Sequence, residues 1–560
     1  MLAPVDNGDL AWHLALGRWI AAHGAVPRTE PFTYTAGGAP MVAHEWLVQW
    51  GYWELLARAG IAAFRWAHAA AAAAFVALVY ALLRRAGATR GLALAGLVVC
   101  TVGAAARFQV RPHVVNLLVG AALYGAAFVA RPKLRPAQIA GFAIATALWA
   151  NAHSAAVLFP ALVAGYALAD ALDRRLRPAA PRERDALGGG DPRRVWQLAG
   201  ACALALVATP NHVALFPYLV ESARVNASLS LEWLPILRYA GDPTARALLA
   251  AFAIALAAGT AAALALARRG APLAPAAVAL ACAVAPLRTM RFTWLAFAPV
   301  ALAGAEASRA LARAGERTRC AVAVLATLGA LVAAPLLFAP AEGVARRIER
   351  VRAGTLFAPN AFPVRSAALL DELARAGTPL EGRLFARAEW GGYLNLVLNG
   401  RYLVFADGRW PEIGEGIVRA GHVIATGRPG ALDLADDFAL DLLLVERDWL
   451  DAAPAPERAR RDAAWLRAFA SANSELWVRR DATGTATRAT LADYYAAHGV
   501  PFDAERGFDP LAARAASPQW ARAHGIGARR IRHFLPGGRR SEPGFEVAED
   551  GVGAPGDAAP

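Results

Sequence analysis

Acidic and histidine side chains near the start of the chain have types and spacing suited to proton transfer. Asp6, Asp9 and His13 fall at positions i, i+3 and i+7, so a helix would place all three on one face. His44 and Glu45 follow, next to a run of aromatic residues. Carboxylates and imidazoles are the side chains that most often move protons in enzymes. The simpler interpretation of the same stretch is a surface helix with scattered charges.

This stretch is too polar to cross a bilayer, yet its aromatic residues are typical of a membrane surface. Trp12 and Trp19 have side chains that favour the membrane–water interface. A second amphipathic segment runs over residues 44–56. We therefore predict that residues 1–60 form an external loop whose amphipathic helices lie on a membrane.

The composition of the chain is that of a membrane protein. Hydrophobic residues make up 57% of the 560 residues, charged residues make up 18%, and the mean hydropathy is +0.35. Apolar runs of bilayer-spanning length recur over residues 61–340, which predicts a transmembrane helical bundle. The cysteines lie inside these runs without ligand spacing, so they are expected to be core residues. The predicted spans are 61–83, 91–106, 112–130, 137–150, 153–172, 195–209, 244–267, 271–286, 290–308 and 319–339.

Arginines are distributed unevenly between the joints that connect these spans. They cluster after the first, third, fifth, seventh and ninth spans, whereas the alternate joints are nearly bare of such clusters. The positive-inside rule places the arginine-rich joints in the cytoplasm, and the segments before residue 61 and after residue 340 on the outer side. Membrane orientation thus accounts for the net charge of +14, and no nucleic-acid partner is expected.

The unusual polar residues of the membrane half all fall on the outer joints. Ionisable groups at membrane depth are costly and usually face a cavity or each other. We therefore predict one cavity, open to the outer side, that gathers them. Single residues also have ordinary explanations, since Asn151 can end a helix and arginines can reach lipid headgroups. The residues are Arg107, Arg111, His113, the run Trp149–His153 with Asn151 and His153, the run Pro210–His212, Glu232, Trp233, Arg288 and Arg291.

From about residue 341 the sequence changes to a mixed α/β pattern with charge throughout. We predict an α/β domain over 341–490, a helical extension over 491–534 and a disordered tail over 535–560. Strands are predicted at 383–386, 402–406, 441–446 and 475–479, and helices at 364–376 and 457–472.

Several residues of this domain are candidates for ligand binding. Asp407 and Arg409 come just past a predicted strand, which is where α/β domains often bind ligands, although strand ends commonly carry such residues. The pair Gly391-Gly392 suits a tight turn. Trp390 and Tyr393 flank this pair and are further candidates.

Sequence motifs spread from Asp6 to about Arg480 give the chain a resemblance to a known class. They are DNGDLAWHLALGRWI, VPRTEPFTYT and HEWL near the start, RPHVVNLL and LWANAH in the bundle, and EWGGYL and VFADGRW in the C-terminal domain. The chain resembles a bacterial group of polytopic membrane proteins related to the C-type (GT-C) glycosyltransferases, which include protein O-mannosyltransferases and lipid A aminoarabinose transferases. The expected fold is a mainly α, polytopic bundle of about ten spans with a C-terminal extracytoplasmic α/β domain.

The resemblance implies sugar transfer at the outer face of the bacterial inner membrane, from a polyprenyl-phosphate-linked donor in the membrane lipid to an envelope acceptor. In this class an acidic residue of the first external loop acts as base or metal ligand, which points to Asp9, with Asp6 assisting it or binding a divalent metal ion. The spacing Asp-Asn-Gly-Asp departs from Asp-x-Asp, so a metal is not assumed. Phosphate contacts are expected from Arg107, Arg111, Arg288 and Arg291, and acceptor contacts from His13, His44 and Glu45.

Two other functions fit the same pattern. A transporter subunit would also place ionisable groups in a membrane cavity, but it would carry them near span midpoints rather than span ends. A catalytically silent relative would use the α/β domain to bind an envelope polymer or partner. The first transmembrane helix of the group is missing before Asp6, so we expect a late start codon or a fragment.

Overall fold

The computed structural model describes residues 4–177, 186–315 and 355–526, with a few positions between 317 and 324. The chain separates into two compact units, which we call the bundle unit and the α/β unit. The bundle unit is Val42–Arg347, and the α/β unit combines Ala3–Met41 with Ile348–Pro560. Cys320, the predicted tail 535–560 and the predicted span 319–339, apart from Ala321 and Val324, lie outside the described residues.

The division of the chain differs from the predicted boundary at residue 60. The start of the chain packs with its C-terminal part, because Val5 bridges Phe357 and Thr33 bridges Val404. The predicted external loop 1–60 is therefore split at Met41 between the two units. Helical periodicity could not show this, because the partners of residues 4–41 are remote in sequence.

Helices account for most of the first half of the chain. The long helix that begins at Trp46 contains a break at Gly60, whose φ of 77° and ψ of 177° suit a residue without a side chain. This break separates the amphipathic segment from the predicted first span. The helices are α1 (Asp9–His23), α2 (Trp46–Arg85), α3 (Arg90–Ala104), α4 (His113–Tyr124), α5 (Pro136–Ala152), α6 (Leu158–Leu176), α7 (Pro192–Ala205), α8 (Leu215–Leu229), α9 (Arg246–Arg268), α10 (Ala274–Val284) and α11 (Phe297–Ala312).

Within the described residues, five helical segments are long and apolar enough to cross a bilayer. Shorter apolar segments cover His113–Val129 and Ala274–Leu287. The bundle unit is thus a set of membrane-spanning helices, while the count of about ten spans stays a prediction. The five segments are Trp46–Arg85, Arg90–Arg107, Ser154–Leu176, Pro243–Arg268 and Met290–Ala312.

The joints of the bundle unit gather at its two ends as the arginine pattern predicts. At the arginine-rich end, Thr89 donates its backbone N–H to Ser308 Oγ at 2.9 Å, and Arg269 contacts Glu306 at 3.0 Å. The alternate joints meet at the opposite end, which carries the polar residues described below. Further hydrogen bonds at the arginine-rich end join Arg177 to the Ala271 carbonyl and Arg194 to the Lys133 carbonyl.

Small residues let α3 approach the segment that precedes α11. A Cβ atom added to Gly103 would lie 2.6 Å from the Thr293 carbonyl oxygen, and Thr293 Oγ1 donates to the Gly103 carbonyl at 2.6 Å. Such close contact between backbones is typical of membrane helices. This contact fixes the distance between Arg107, which follows Gly103 in the chain, and Arg291, which precedes Thr293.

The α/β unit is built on a four-stranded sheet of order β1-β2-β4-β3. Strands β1 and β2 are parallel, whereas β4 pairs antiparallel with both β2 and β3. A separate two-stranded sheet lies inside the predicted helical extension 491–534. The described part of this extension, up to residue 526, is therefore only partly helical. The strands are β1 (Leu384–Ala386), β2 (Leu442–Glu446), β3 (Trp465–Ala470), β4 (Ser474–Arg479), β5 (Phe502–Asp503) and β6 (Gly507–Phe508).

Tertiary contacts changed two of the predicted elements. Residues 402–406 form only isolated bridges through Val404, to Thr33 and to Leu384. The helix predicted at 457–472 ends at Ala464, because the residues that follow pair with β4 as strand β3. The helices after residue 355 are α12 (Val364–Arg375), α13 (Ala388–Val397), α14 (Trp410–Ile413), α15 (Glu415–Thr426), α16 (Ala431–Asp437), α17 (Ala455–Ala464), α18 (Thr485–Ala497), α19 (Pro510–Ala516) and α20 (Pro518–Ala523).

The predicted glycine turn is wrong, because Gly391 and Gly392 lie inside α13. A Cβ atom on Gly391 would lie 1.9 Å from the Ala406 carbonyl oxygen, and one on Gly392 would lie 2.9 Å from the Trp12 Cβ atom. The two glycines are therefore required for the close approach of neighbouring backbone on both sides of the helix.

Candidate functional site

Polar side chains from five joints of the bundle unit meet at the end opposite to the arginine-rich joints. They come from the segment before α2, the connection between α3 and α4, and the connections that precede α6, α9 and α11. Each of these helices supplies a site residue at or beside its end, which explains why the residues are scattered along the sequence. The set, which we call the polar cluster, is His44, Glu45, Arg107, Arg111, His113, His153, Glu232 and Arg291.

Two arginines of the polar cluster hold one carboxylate. Arg107 Nη1 donates to Glu232 Oε2 at 3.0 Å, and Arg111 Nη1 lies 3.6 Å from Glu232 Oε1. Both arginines are buried, at 3% and 8% exposure, whereas the Glu232 side chain is 26% exposed. Burial alone would raise the pKa of Glu232, but Arg107 and Arg111 lower it to about 2. Glu232 is therefore ionised at neutral pH.

A third arginine joins the polar cluster from the N-terminal side of α11. Arg291 Nη2 contacts His113 Nε2 at 2.7 Å, and the guanidinium carbon lies 4.7 Å from the centre of the Trp233 ring. Because an arginine can only donate, His113 must accept through Nε2 and is neutral in this contact. Arg291 is thus oriented by a histidine on one side and an aromatic face on the other.

Glu45 lies on the histidine side of the polar cluster. His153 Nδ1 accepts the backbone N–H of Ala155 at 2.9 Å, so a neutral His153 carries its proton on Nε2, which lies 3.2 Å from Glu45 Oε1. His44 Nε2 is 3.7 Å from the same oxygen. Burial lowers the pKa of His44 to about 4, opposed by a hydrogen bond to the Val42 carbonyl. The histidines therefore surround Glu45 in their uncharged forms at neutral pH.

Two remaining candidates of the bundle unit have different surroundings. Asn151 accepts a hydrogen bond from Trp46 Nε1 at 2.8 Å and donates to the carbonyls of Ala147 and Ala208, so it fastens α5 to neighbouring segments. Arg288 is exposed and lies outside the polar cluster. The structure thus brings Arg291 into the cluster and leaves Arg288 on the surface.

The polar cluster has more hydrogen-bond donors than the described residues satisfy. Arg107 is 3% exposed, yet its Nε and Nη2 atoms have no hydrogen-bond partner among the described residues. Three guanidinium groups face the carboxylates of Glu232 and Glu45, which leaves a surplus of positive charge. Buried donors of this kind are costly unless an acceptor completes them. The arrangement suits an anion with several oxygen atoms.

The acidic residues at the start of the chain belong to the α/β unit. Helix α1 begins at Asp9, whose backbone N–H donates to Asn7 Oδ1 at 2.8 Å. Asp6 precedes the helix and is exposed. The prediction that Asp6, Asp9 and His13 share one helical face is therefore wrong for Asp6, because the turn at Asn7 comes first. His13 is buried against the Trp12 ring.

The candidates in the α/β domain form a buried ion network with a residue of the first loop. Arg409 Nε donates to Asp407 Oδ1 at 3.0 Å, and Arg409 Nη2 donates to Glu30 Oε1 at 2.8 Å. Burial alone would lower the pKa of Arg409, but the carboxylates of Asp407 and Glu30 hold this pKa above its usual range. Each of the three is at most 4% exposed. Their contacts indicate a structural role.

Trp390 and Tyr393 are also part of the interior of the α/β unit. Trp390 Nε1 donates to the Ala361 carbonyl at 2.9 Å, and its side chain is 1% exposed. Tyr393 packs its ring against Phe357 and Phe362. Both side chains fix α13 in the core, and a role in ligand binding stays a prediction.

The described residues contain no group of three or more histidine, cysteine, aspartate or glutamate side chains placed to hold a metal ion. Asp6 and Asp9 therefore find no further ligands of this kind there. Metal binding by these two aspartates stays a prediction, and we derive no step through a metal.

Two residues of the networks had no individual role in the sequence-based prediction. Glu30 stands within VPRTEPFTYT, a motif that we noted without assigning a function to its acidic residue. Glu232 was recognised as an unusual polar residue of an outer joint but was not assigned as a site residue. For Glu232 the available signal was an acid in an otherwise apolar and aromatic context, whereas the polar surroundings of Glu30 gave no such signal.

Comparison with known proteins identifies the fold. No family model and no curated protein matches the sequence. Two structures of the Archaeoglobus fulgidus oligosaccharyltransferase match at 14% identity: the apo form, over 80% of this chain and 66% of its own (TM-score 0.47), and a complex with Zn and sulfate, over 85% and 70% (TM-score 0.46).

A third match is AglB from the same organism, in complex with an inhibitory peptide and a dolichol-phosphate. It aligns over 85% of this chain and 71% of its own, at 13% identity and a TM-score of 0.51. AglB is a GT-C-type glycosyltransferase. At this identity the match concerns the fold alone. With five helices long enough to span a bilayer, the chain is an integral membrane protein with a GT-C-like fold.

Proposed function

We propose that this protein is a membrane glycosyltransferase that transfers a sugar from a polyprenyl-phosphate-linked donor to an envelope acceptor. The observation that carries the proposal is the polar cluster, in which buried Arg107 keeps two nitrogen atoms without a partner among the described residues. An incoming phosphate group supplies the missing acceptor atoms.

The chemistry of sugar transfer from a lipid phosphate explains why such a cluster is useful. When the bond between the anomeric carbon and the phosphate oxygen breaks, negative charge accumulates on the departing phosphate. Guanidinium groups that are already oriented and poorly screened stabilise this charge without rearrangement. We assign Arg107, Arg111 and Arg291 to this role. The neighbouring AglB structure, which has the same fold, holds a dolichol-phosphate.

The acceptor hydroxyl must lose a proton as it attacks the anomeric carbon, which requires a base. Asp9 is the proposed base, with Asp6 assisting it, on the resemblance of the first external loop. Glu45 and the histidines around it are proposed to shape the acceptor site. A role of His13 in acceptor binding is proposed on the resemblance alone. The acceptor is an envelope molecule that carries a free hydroxyl group.

The side of the membrane on which we propose that transfer occurs is assigned from the two ends of the bundle unit. The arginine-rich joints are assigned to the cytoplasm by the positive-inside rule. The polar cluster is at the other end, so transfer takes place at the outer face of the bacterial inner membrane, and the α/β domain is extracytoplasmic. A lipid-linked donor suits this location, because nucleotide-activated sugars are made in the cytoplasm.

A transfer assay with three single variants tests the proposal. Membranes that contain the protein are incubated with a labelled lipid extract, and envelope glycolipids and glycoproteins are analysed by mass spectrometry. We expect Arg107→Ala and Asp9→Asn to lower transfer by about 100-fold or more, while insertion into the membrane is preserved. Arg238→Ala, which changes an exposed arginine outside the cluster, is the matched control. Unchanged transfer in Asp9→Asn would reject the base, and unchanged transfer in Arg107→Ala would reject the phosphate site.

A further inference from the structure

We infer that Glu232 is an internal ligand of the phosphate-binding arginines, which the phosphate group of a lipid must displace before it can bind. The inference rests on the proposed function, because it concerns the same site. Glu232 Oε2 accepts from Arg107 at 3.0 Å, and Glu232 Oε1 lies 3.6 Å from Arg111. A phosphate that binds these guanidinium groups needs the positions that the carboxylate oxygens occupy.

Glu232 fits its partners incompletely, which is what a displaceable ligand requires. Arg107 can present parallel N–H groups to an anion, but only Nη1 is used by Glu232. Nε and Nη2 of Arg107 are buried without a partner among the described residues. At 3.6 Å, the contact to Arg111 is an ion pair that is longer than a hydrogen bond. A tetrahedral phosphate has more acceptor oxygens than a carboxylate and can serve more of these donors.

The backbone that carries Glu232 is held in place, whereas its side chain has room to leave. Thr289 Oγ1 donates to the Glu232 carbonyl at 3.1 Å, and Met290 N–H donates to the Leu234 carbonyl at 2.9 Å. The Glu232 side chain is nevertheless 26% exposed. Displacement therefore requires rotation of the side chain, and the joint that carries it can stay where it is.

An internal carboxylate also makes the site selective for lipid-linked phosphate. Without Glu232, the like charges of Arg107, Arg111 and Arg291 would attract any small anion from the surrounding water. Free phosphate must displace Glu232 with its charge alone. The apolar chain of a polyprenyl phosphate holds it in the membrane, so the phosphate is present at the site at a high local concentration that offsets this cost.

Binding measurements on the full-length protein in phosphatidylcholine nanodiscs test the inference. The probes are radiolabelled undecaprenyl phosphate and, separately, inorganic phosphate. Glu232→Gln keeps the shape of the side chain and removes its charge. Glu221→Gln is the matched control, because it removes a carboxylate from the exposed face of α8, where Glu221 pairs with Arg224.

We expect Glu232→Gln to bind undecaprenyl phosphate roughly tenfold more tightly than the unchanged protein, which is the scale of one lost charged hydrogen bond. The same variant is expected to gain measurable affinity for inorganic phosphate, whereas Glu221→Gln is not. If Glu232→Gln is less stable than the unchanged protein, added phosphate should restore its unfolding temperature by binding the folded state.

The possible outcomes separate the inference from the proposed function. If the unchanged protein binds undecaprenyl phosphate through Arg107 but Glu232→Gln binds it equally or more weakly, Glu232 is not a competing ligand and the inference fails alone. If neither protein binds the lipid and Arg107→Ala changes nothing, the phosphate site itself fails. Equal gains in Glu232→Gln and Glu221→Gln would mean that net charge, and not this contact, limits binding, which also rejects the inference.

Discussion

The two buried ion networks of this protein use the same residue types in opposite ways. In the α/β unit, one arginine meets two carboxylates, and each side chain group finds a partner. In the bundle unit, Arg107 and Arg111 contact Glu232, and Arg107 retains buried nitrogen atoms that no described residue satisfies. The comparison supports the proposal that the bundle network binds a ligand, whereas the network of the α/β unit holds the fold together.

The saturated network shows how completely a protein can satisfy its own charges. Glu30 Oε1 accepts the backbone N–H groups of Phe32 at 2.8 Å and Thr33 at 3.0 Å besides its contact with Arg409. Asp407 Oδ2 also accepts from Asn395 Nδ2 at 3.1 Å. A ligand would have to break these hydrogen bonds to enter. The network therefore connects the first loop to the segment after Val404, and every side-chain nitrogen and oxygen of Glu30, Asp407 and Arg409 has a partner in it.

The largest effect is expected from breaking the saturated network. Arg409→Ala would leave two buried carboxylates without their partner, which costs about 3–5 kcal/mol of unfolding free energy. Thermal or denaturant unfolding of the purified protein measures this loss. Arg419→Ala, which removes an exposed arginine paired with Glu415, should cost about 0.5 kcal/mol or less. Similar losses in both variants would contradict the structural role of the network.

Arg107→Ala should give the reverse pattern. We expect transfer to fall by about 100-fold, because one donor to the departing phosphate is lost. The unfolding temperature should change little, since the substitution also removes repulsion from Arg111 and leaves a carboxylate that is partly exposed. Transfer activity and unfolding temperature are measured for Arg107→Ala and for Arg409→Ala, and the loss of each is compared. If both variants lose activity and stability in the same proportion, the two networks do not differ in role.

A smaller effect is expected to distinguish Arg291 from Arg288, for which the sequence predicts the same contact with phosphate. Arg291 contacts His113 in the polar cluster, whereas Arg288 is exposed. We expect Arg291→Ala to raise the KM for the lipid donor by roughly tenfold, the scale of a charged hydrogen bond, and Arg288→Ala to raise it by less than about twofold. Steady-state kinetics with a titrated donor distinguishes them. If the two variants respond equally, the prediction from sequence stands and the assignment by burial fails.

A further effect concerns pH. The pKa of His44 is lowered to about 4 from an ordinary value of 6.5. Between these two pH values, the unfolded state therefore binds a proton at His44 that the folded state does not bind. The stability that His44 contributes is present above pH 6.5 and is lost as the pH falls towards 4, by roughly 1–3 kcal/mol. Unfolding midpoints between pH 4 and pH 7 should show this slope, and His44→Asn should reduce it. The exposed His212→Asn is the control, and an equal reduction in both variants would contradict the assignment.

The position of the bundle in the chain and the difference between its two ends can be predicted from the amino-acid sequence. Apolar length and the alternation of arginines depend only on the local transfer of residues between water and a bilayer, so they can be read without contacts. The same reasoning placed Arg107, Arg111, His113 and Arg291 at one end. It also located the strands near Leu384, Leu442 and Ser474, because buried strands have a local pattern.

Which of these residues contact one another depends on the three-dimensional arrangement of the elements. The pairing of Glu30 with Arg409, the position of Gly391 inside a helix and the contact of Arg107 with Glu232 all join segments that are distant in the chain. Residue type does not reveal whether a buried charge is satisfied, since this depends on the distances between atoms from separate elements. The difference between Arg409 and Arg107, and so between a structural network and a candidate site, exists only in three dimensions.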